Sequence, residues 1–132
     1  MIHLLDVNAL LALVHQAHQH HGRALQWLAD LQKKRRPAIA TCAITELGLL
    51  RVSVEAGLLP DVGVARAALA AFKASPSCDF VFLDDGLGAD RLPSYVKKPA
   101  QITDGHLLEL AKANGSQFVT LDRGIPGAHL MK

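Results

Sequence analysis

The chain has 132 residues, half of them hydrophobic, and a formal net charge of +2. This length favours a single domain over residues 1–132, and the slight positive charge permits a nucleic-acid partner without demanding one. No stretch approaches the roughly 18 apolar residues of a membrane span, and the amino terminus lacks the features of a signal peptide. Cys42 and Cys78 fit no CxxC pattern and are expected to be buried thiols in a reducing compartment. We therefore expect a cytoplasmic protein without membrane association.

The first residues predict a strand followed by a helix. Residues 2–5 form a short run rich in branched aliphatics that stops at Asp6, and residues 9–13 have helical hydrophobic spacing. In open α/β sheets, ligands bind at the carboxyl ends of the strands. We therefore interpret Asp6 as the first member of an acidic metal site, with the carboxamide of Asn8 beside it.

Residues 15–21 contain four histidines, and residues 22–34 have the spacing of an amphipathic helix. No acidic residue or cysteine lies near the histidines, so a polar junction between helices is a better interpretation than a metal site. The basic run at residues 33–36 stands at a helix carboxyl end, where the dipole favours cations. A solvated helix end is therefore favoured over a dedicated RNA-binding patch.

Residues 38–42 predict the second strand, which is followed by a helix that carries Glu46. Apolar or small residues lie three, four and seven positions after Glu46, so its carboxylate is predicted to point toward the buried side. Because both strands end at the same sheet edge, Glu46 is expected close to Asp6. Arg51, one turn on, could balance that charge or contact a phosphate or a partner, and an ordinary salt bridge is at least as good an interpretation.

The middle of the chain carries little chemistry. Residues 57–60 break the helix, residues 64–73 predict another helix, and residues 79–83 predict a third strand. The Asp-Asp-Gly sequence at 84–86 favours a turn over a carboxylate pair, because adjacent side chains diverge. Residues 87–95 predict a loop with short helical pieces.

Residues 102–115 predict the best-formed helix, with Thr103 as its N-cap and Asn114 and Gly115 at its carboxyl end. Asp104 lies in the first turn, where an acid commonly complements the helix dipole. Its spacing to the apolar residues of the helix nevertheless places it over the core-facing stripe, so we expect it to point inward. His106 is expected to be an ordinary surface residue, with contact to substrate as the alternative.

Residues 117–122 repeat the opening pattern, an apolar strand ending on an acid, and residues 128–131 predict a short edge strand. Asp122 alone would be explained as the cap of a turn. Its position at a strand end, like that of Asp6, favours a place in the same crevice.

Four carboxylates at one edge of a parallel α/β sheet predict a cation site. Two carboxylates about 5 Å apart repel by roughly 3 kcal/mol at an effective dielectric of about 20, so such a cluster must take up protons or hold a cation. Oxygen ligands without histidine or cysteine favour Mg²⁺ or Mn²⁺. The expected chemistry is hydrolysis of a phosphodiester by an activated water.

Four segments of the chain, 4–13, 42–51, 102–111 and 118–124, resemble in order and spacing the PIN-domain family, and within it the VapC-type ribonuclease toxins of type II toxin–antitoxin systems. The resemblance implies an α/β fold, a three-layer α/β/α sandwich with a central, mostly parallel sheet. It also implies an Mg²⁺- or Mn²⁺-dependent endoribonuclease that forms a homodimer and cleaves RNA. A cognate VapB-type antitoxin would neutralise it by placing its tail in the active-site groove.

The resemblance also assigns roles to individual residues. Asp6, Glu46 and Asp104 fall on the acidic triad of the family, and Asp122 falls on its more variable fourth acid. Asp6 and Asp104 would be the main metal ligands. Glu46 would bind the ion through water or orient the attacking water. Asp122 would complete the coordination of the ion or hold a second ion. Asn8 and Thr120 fall on polar positions around the site. The candidate contacts to RNA or antitoxin are Arg51, Arg123, Lys97 and Lys98.

Two alternatives remain at this point. A PIN-like module that binds RNA or protein without hydrolysis would carry the same motifs. A haloacid-dehalogenase-like phosphatase would explain the strand-end motif at residues 4–8, but Asn8 stands where that mechanism needs a second Asp, and no Lys follows in the expected context.

Overall fold

The computed structural model describes residues 1–131. The strands are β1 (Ile2–Leu5), β2 (Ala38–Cys42), β3 (Asp79–Leu83), β4 (Gln117–Thr120) and β5 (His129–Leu130). The helices are α1 (Val7–Val14), α2 (His21–Lys34), α3 (Ala43–Glu55), α4 (Val62–Lys73) and α5 (Ile102–Ala113). Two single-turn 3₁₀ helices, Ala89–Arg91 and Pro99–Gln101, lie between β3 and α5.

The five strands form one sheet in the order β3-β2-β1-β4-β5, and all neighbours are parallel. The chain moves outward from β1 to β3 and then returns to place β4 on the other side of β1. The strand order therefore reverses between β1 and β4, which is where open α/β sheets bind their ligands. Leu5 pairs with Val119 across this boundary, so Asp6 and Thr120 emerge side by side at the carboxyl edge.

Helices cover both faces of the sheet. Helices α1 to α4 contact one another on one face, whereas α5 packs on β4 together with the 3₁₀ turns. Successive strand residues alternate between the faces, so Leu5 joins the core under α1 while Leu4 joins the core under α5. The predicted three-layer α/β/α sandwich is confirmed, and its sheet is parallel in every described strand.

Local capping explains where several helices begin and end. The Asp6 side chain accepts a hydrogen bond from the Ala9 N–H at 2.7 Å and so caps α1. Asn114 is the C-cap of α5, and Gly115 follows in the left-handed region with φ of 62°, as the sequence predicted. The predicted N-cap role of Thr103 is wrong, because the 3₁₀ turn runs directly into α5 and leaves Thr103 inside its first turn.

Helices α1 and α3 approach closely at Gly48. A Cβ atom at this position would lie 2.7 Å from Cγ2 of Val7, which is shorter than real contacts allow. Glycine is therefore required for this crossing, which sets the distance between the helix that Asp6 caps and the helix that carries Glu46.

Cys42 and Cys78 are both buried and free, in agreement with the expectation from the sequence. Within the described part of the chain, no helix combines the length and hydrophobicity needed to cross a bilayer.

Candidate metal centre at the carboxyl edge of the sheet

Three of the predicted acids line one cavity of about 450 Å³. Asp6 follows β1, Asp104 lies in the first turn of α5, and Asp122 follows β4, so three separate elements deliver the carboxylates. Asn8 lines the same cavity, as the sequence predicted. The convergence expected from the parallel sheet is therefore found for these three acids.

Asp6 is the most constrained of the three. Its Oδ1 accepts from the Ala9 N–H at 2.7 Å, and its Oδ2 accepts from the Thr120 hydroxyl. Asp6 and Thr120 are both buried. A carboxylate oxygen can accept more than one hydrogen bond, so each Asp6 oxygen keeps acceptor capacity after these contacts.

Thr120 connects two of the acids. Its hydroxyl donates to Asp6 and accepts from the Asp122 N–H at 3.0 Å. The Asp122 side chain in turn accepts from the Gly124 N–H at 2.8 Å, which closes the turn after β4. Thr120 therefore holds the ends of β1 and β4 in a fixed relationship, a more specific role than the supporting polar position that the sequence suggested.

The cavity concentrates negative charge in a poorly solvated place. Burial raises the pKa of Asp6 from 3.8 to about 6, although the hydrogen bonds from Thr120 and Ala9 oppose the rise, and the charges of Asp104 and Asp122 add to it. Burial also raises the pKa of Asp104, again with help from Asp122. A cation in the cavity would favour the ionised form of both groups.

The donor set fits a hard divalent cation bound partly through water. Within residues 1–131, no three His, Cys, Asp or Glu side chains already converge as ligands of a single ion. Mg²⁺ does not need such a cage, because it usually keeps several waters and binds proteins through one or two carboxylates. In addition, the Tyr95 hydroxyl is buried without a partner among these residues, and its pKa is raised by burial and by Asp104 and Asp122.

Glu46 lies outside this cavity. Its carboxylate accepts from the Thr41 hydroxyl at 2.5 Å and pairs with Lys73 at 2.7 Å, and it lines a separate cavity beside α4. The side chain is only 20% exposed, in keeping with the predicted inward direction. Glu46 does not share the cavity of Asp6 but faces α4, where Lys73 supplies the compensating charge.

The predicted basic contacts are all on the surface. Arg51 pairs with Glu55 at 3.7 Å instead of balancing Glu46, and both side chains are exposed. Arg123, Lys97 and Lys98 are also exposed. Their positions leave them accessible to a partner and assign them no contact within the site.

The histidine-rich segment contributes to the site in a way that the sequence did not indicate. His20 lines the acidic cavity, and the His18 ring hydrogen-bonds the Asn8 side chain at 2.9 Å. His15 bonds the Ser53 hydroxyl and His21 bonds the Ala12 carbonyl, both at 2.7 Å, so these two support packing. Hydrophobic periodicity gave no signal here, because the segment folds back between two helices.

A family model described as the PIN domain matches residues 3–128. The chain belongs to the PIN-domain family. Membership disfavours the phosphatase alternative, since the strand-end motif is explained by the PIN site itself.

Curated relatives place this PIN domain among VapC proteins. It is 40% identical over 125 residues to "Ribonuclease VapC38" of Mycobacterium tuberculosis, covering 92% of this chain and 86% of that protein. It is 36% identical to "Ribonuclease VapC44" of the same species, covering 95% of this chain and 92% of the relative. The VapC-type PIN domain recognised from four sequence segments is confirmed.

Two solved structures share the fold. One is M. tuberculosis VapC20, described as a sarcin-ricin loop cleaving toxin, with a TM-score of 0.59 and 16% identity over 92% of this chain and 91% of the other. The other is VapBC2 from Rickettsia felis bound to a promoter DNA fragment, with the same TM-score and identity, over 98% of this chain and 97% of the other. At this identity the likeness concerns the fold alone.

Proposed function

We propose that this PIN-domain protein is a VapC-type toxin, an endoribonuclease that hydrolyses RNA phosphodiester bonds with Mg²⁺ or Mn²⁺ in the cytoplasm. The observation that carries the proposal is the shared cavity of Asp6, Asp104 and Asp122 at the strand-order reversal. Its relatives named as ribonucleases support the reaction class. The domain that performs it is proposed to extend over residues 1–132.

Asp6 and Asp104 would hold the ion, with Asp122 completing the set of oxygen donors. A bound divalent ion supplies a nucleophile at neutral pH and stabilises the negative charge that develops on the phosphate. The Thr120 hydroxyl and the Ala9 N–H fix the Asp6 carboxylate, so its orientation does not have to be selected when the ion binds.

Polar groups around the acids would orient the RNA backbone. Asn8, His20 and Thr103 line the cavity together with the carboxylates. The Asn8 carboxamide is itself positioned by His18, so its direction is defined before substrate arrives. Hydrogen bonds of this kind position a phosphodiester for attack, which is a large part of catalysis in such sites.

Glu46 is kept as the acid that positions the attacking water. Support for this role comes from its place in the family motif, since its carboxylate lies with Lys73 and not in the cavity. Glu46 would have to leave its contacts with Thr41 and Lys73 to reach the cavity.

The proposed partners follow from the same resemblance. A VapB-type antitoxin would cover the acidic cavity, and a basic side chain on its tail would complement the three carboxylates. The toxin itself would be a homodimer. Arg51 and Arg123 remain proposed contacts to RNA or antitoxin, since both are exposed.

The test is cleavage of structured RNA in Mn²⁺ compared with EDTA, for the wild type, Asp6→Asn and Asp79→Asn. Asp79 is a matched control, because it is an exposed acid paired with Arg36 at the opposite edge of the sheet. We expect cleavage that requires Mn²⁺, is lost in Asp6→Asn and persists in Asp79→Asn.

Other outcomes would contradict the proposal. RNA binding without metal-dependent cleavage would indicate a PIN-like binding module. Release of phosphate from small phosphomonoesters, without RNA cleavage, would restore the phosphatase alternative. Cleavage that persists in Asp6→Asn would remove this cavity from the reaction.

A further inference from the structure

A second cavity adjoins the acidic one across the first turn of α5. It has a volume of about 460 Å³ and is lined largely by apolar residues, including Ile44, Leu87 and Leu92. Thr103 lines both cavities. The amino-terminal turn of α5 is therefore a ridge, with Asp104 on its acidic side and His106 on its apolar side.

His106 and Asp85 form a polar pair in the wall of this second cavity. The Nε2 atom of His106 hydrogen-bonds Oδ2 of Asp85, and the side chains are 14% and 15% exposed. Oδ1 of Asp85 accepts from the Leu87 N–H at 3.0 Å, so the carboxylate is held at both oxygens. Residues 84–88 have no regular secondary structure, and the predicted turn at 84–86 is represented only by this side-chain contact of Asp85. His106 is half-buried and bonded to Asp85, which gives it a defined partner that the sequence did not indicate.

The pair defines what His106 presents to a ligand. An ionised carboxylate only accepts hydrogen bonds, so Nε2 carries the hydrogen of this contact, and Nδ1 is the ring nitrogen left for a ligand. Burial raises the pKa of Asp85, but the hydrogen bonds from His106 and Leu87 outweigh it and bring the pKa below its ordinary value. The ring is therefore fixed by an ionised partner.

We propose that this second cavity binds one unstacked nucleobase of the RNA substrate, next to the phosphate that lies over the acidic cavity. Every nucleobase has two apolar faces and an edge with polar groups. The aliphatic side chains would contact the faces, and Nδ1 of His106 would hydrogen-bond a polar group of the edge. The inference rests on the proposed ribonuclease function and adds a determinant of sequence preference to it.

The spacing of the two cavities supports a single nucleotide spanning them. Thr103 and His106 are three positions apart on α5, and residues so spaced lie roughly 5–6 Å apart between their Cβ atoms on one helix face. Asp104 is adjacent to Thr103 in sequence and faces the other cavity. In a nucleotide chain, the distance from a base to the phosphate of the same or the next nucleotide is comparable to this spacing. Specific recognition of RNA commonly uses such splayed-out bases.

The experiment measures RNA binding without hydrolysis, in EDTA, by fluorescence anisotropy. The probes are a short single-stranded oligoribonucleotide that the protein binds and a series in which each position in turn is abasic. For the wild type, one abasic position should weaken binding about tenfold, the loss of one good hydrogen bond with its apolar contacts. His106→Ala should bind the parent oligonucleotide about as weakly as the wild type binds the abasic one. The abasic substitution should not weaken the binding of this variant further.

Two further variants test the same cavity in case His106→Ala does not fold, and a third variant is a control. Asp85→Asn keeps the shape of the side chain but removes the charge that fixes His106, and Ile102→Asp alters an apolar wall position that is already 47% exposed. Both should reduce the abasic penalty. Asp79→Asn should leave it unchanged, and thermal melts establish that each variant is folded.

The outcomes separate this inference from the function on which it rests. An abasic penalty as large in folded His106→Ala, Asp85→Asn and Ile102→Asp as in the wild type would overturn the base site, even if Mn²⁺-dependent cleavage is found. Loss of the penalty in these variants without any RNA cleavage by the wild type would support the base site and contradict the ribonuclease proposal.

Discussion

The hydroxyl of Thr120 donates a hydrogen bond to the carboxylate of Asp6, a residue 114 positions earlier in the chain. The bond joins the ends of the two strands between which the strand order reverses. Because the same hydroxyl accepts from the Asp122 N–H, one buried side chain sets the relationship between two acids of the cavity. The site therefore depends on a group that is not acidic.

Thr120→Val should weaken metal-dependent activity without unfolding the protein. Valine matches the shape of threonine but cannot donate, so the ionised form of Asp6 loses a hydrogen bond and its pKa rises further. We expect the Mn²⁺ concentration for half-maximal cleavage to increase about tenfold, corresponding to one charge-assisted hydrogen bond. Thr120→Ser, which keeps the hydroxyl, should restore the wild-type value. Equal half-maximal Mn²⁺ concentrations for Thr120→Val and the wild type would show that the bond has no role in binding the ion.

The stability of the protein in EDTA should fall as the pH rises through the folded-state pKa of Asp6. That pKa is raised from 3.8 to about 6, so the native state holds a proton that the unfolded state releases. The contribution is complete below about pH 4 and is lost above about pH 6, a difference of about 3 kcal/mol from this group. Burial shifts Asp104 in the same direction. Urea denaturation at several pH values measures the effect.

Asp6→Asn isolates this contribution. Asparagine retains an oxygen for the Ala9 N–H and has no proton to lose, so its stability profile should be flatter between pH 4 and pH 6. Near pH 7 the variant should be more stable than the wild type in EDTA. Parallel profiles for the two proteins would mean that Asp6 is not the group responsible.

Divalent cations should reduce this difference in stability. An ion that binds only the native state stabilises it by about 2.7 kcal/mol at a hundred times its dissociation constant. Near pH 7 we expect Mn²⁺ or Mg²⁺ to raise the melting temperature of the wild type and of Asp79→Asn, but not of Asp6→Asn. A shift of equal size in all three would indicate binding elsewhere on the protein. Scanning calorimetry with and without the ion gives the measurement.

The sequence was sufficient for features set by local pattern and strand direction. Asp6 and Asp122 follow parallel strands, and Asp104 sits on the inward stripe of α5, so their shared edge followed from chain order alone. Features that depend on packing between distant segments could not be predicted from the sequence. The partner of Glu46 is Lys73, 27 residues away on another helix, and the partner of His106 is Asp85 in an irregular segment. His20 reaches the cavity through a fold-back that has no periodicity.

The role of Glu46 can be separated from that of its partner Lys73. If Glu46 positions the attacking water, Glu46→Gln should reduce cleavage at least a hundredfold, within the range of general-base effects. Lys73→Met should keep most of the activity, because it removes only the competing contact. If Glu46 instead serves only to join α3 to α4, the two variants should have the same small effect on cleavage and the same loss of stability. Single-turnover cleavage and thermal melts distinguish the two cases.

Gly48→Ala should destabilise the protein even though it replaces glycine within a helix. In an open helix position this change would stabilise by about 1 kcal/mol. Here the added Cβ would meet Cγ2 of Val7 at 2.7 Å, and the branched valine side chain has little freedom to move aside. Overpacking of this kind costs about 1–3 kcal/mol, so we expect a net loss in the free energy of unfolding measured in urea. The double variant Gly48→Ala/Val7→Ala should lose less free energy of unfolding than the sum of the two single losses, because the clash is removed. A Gly48→Ala protein more stable than the wild type would contradict the close crossing of α1 and α3.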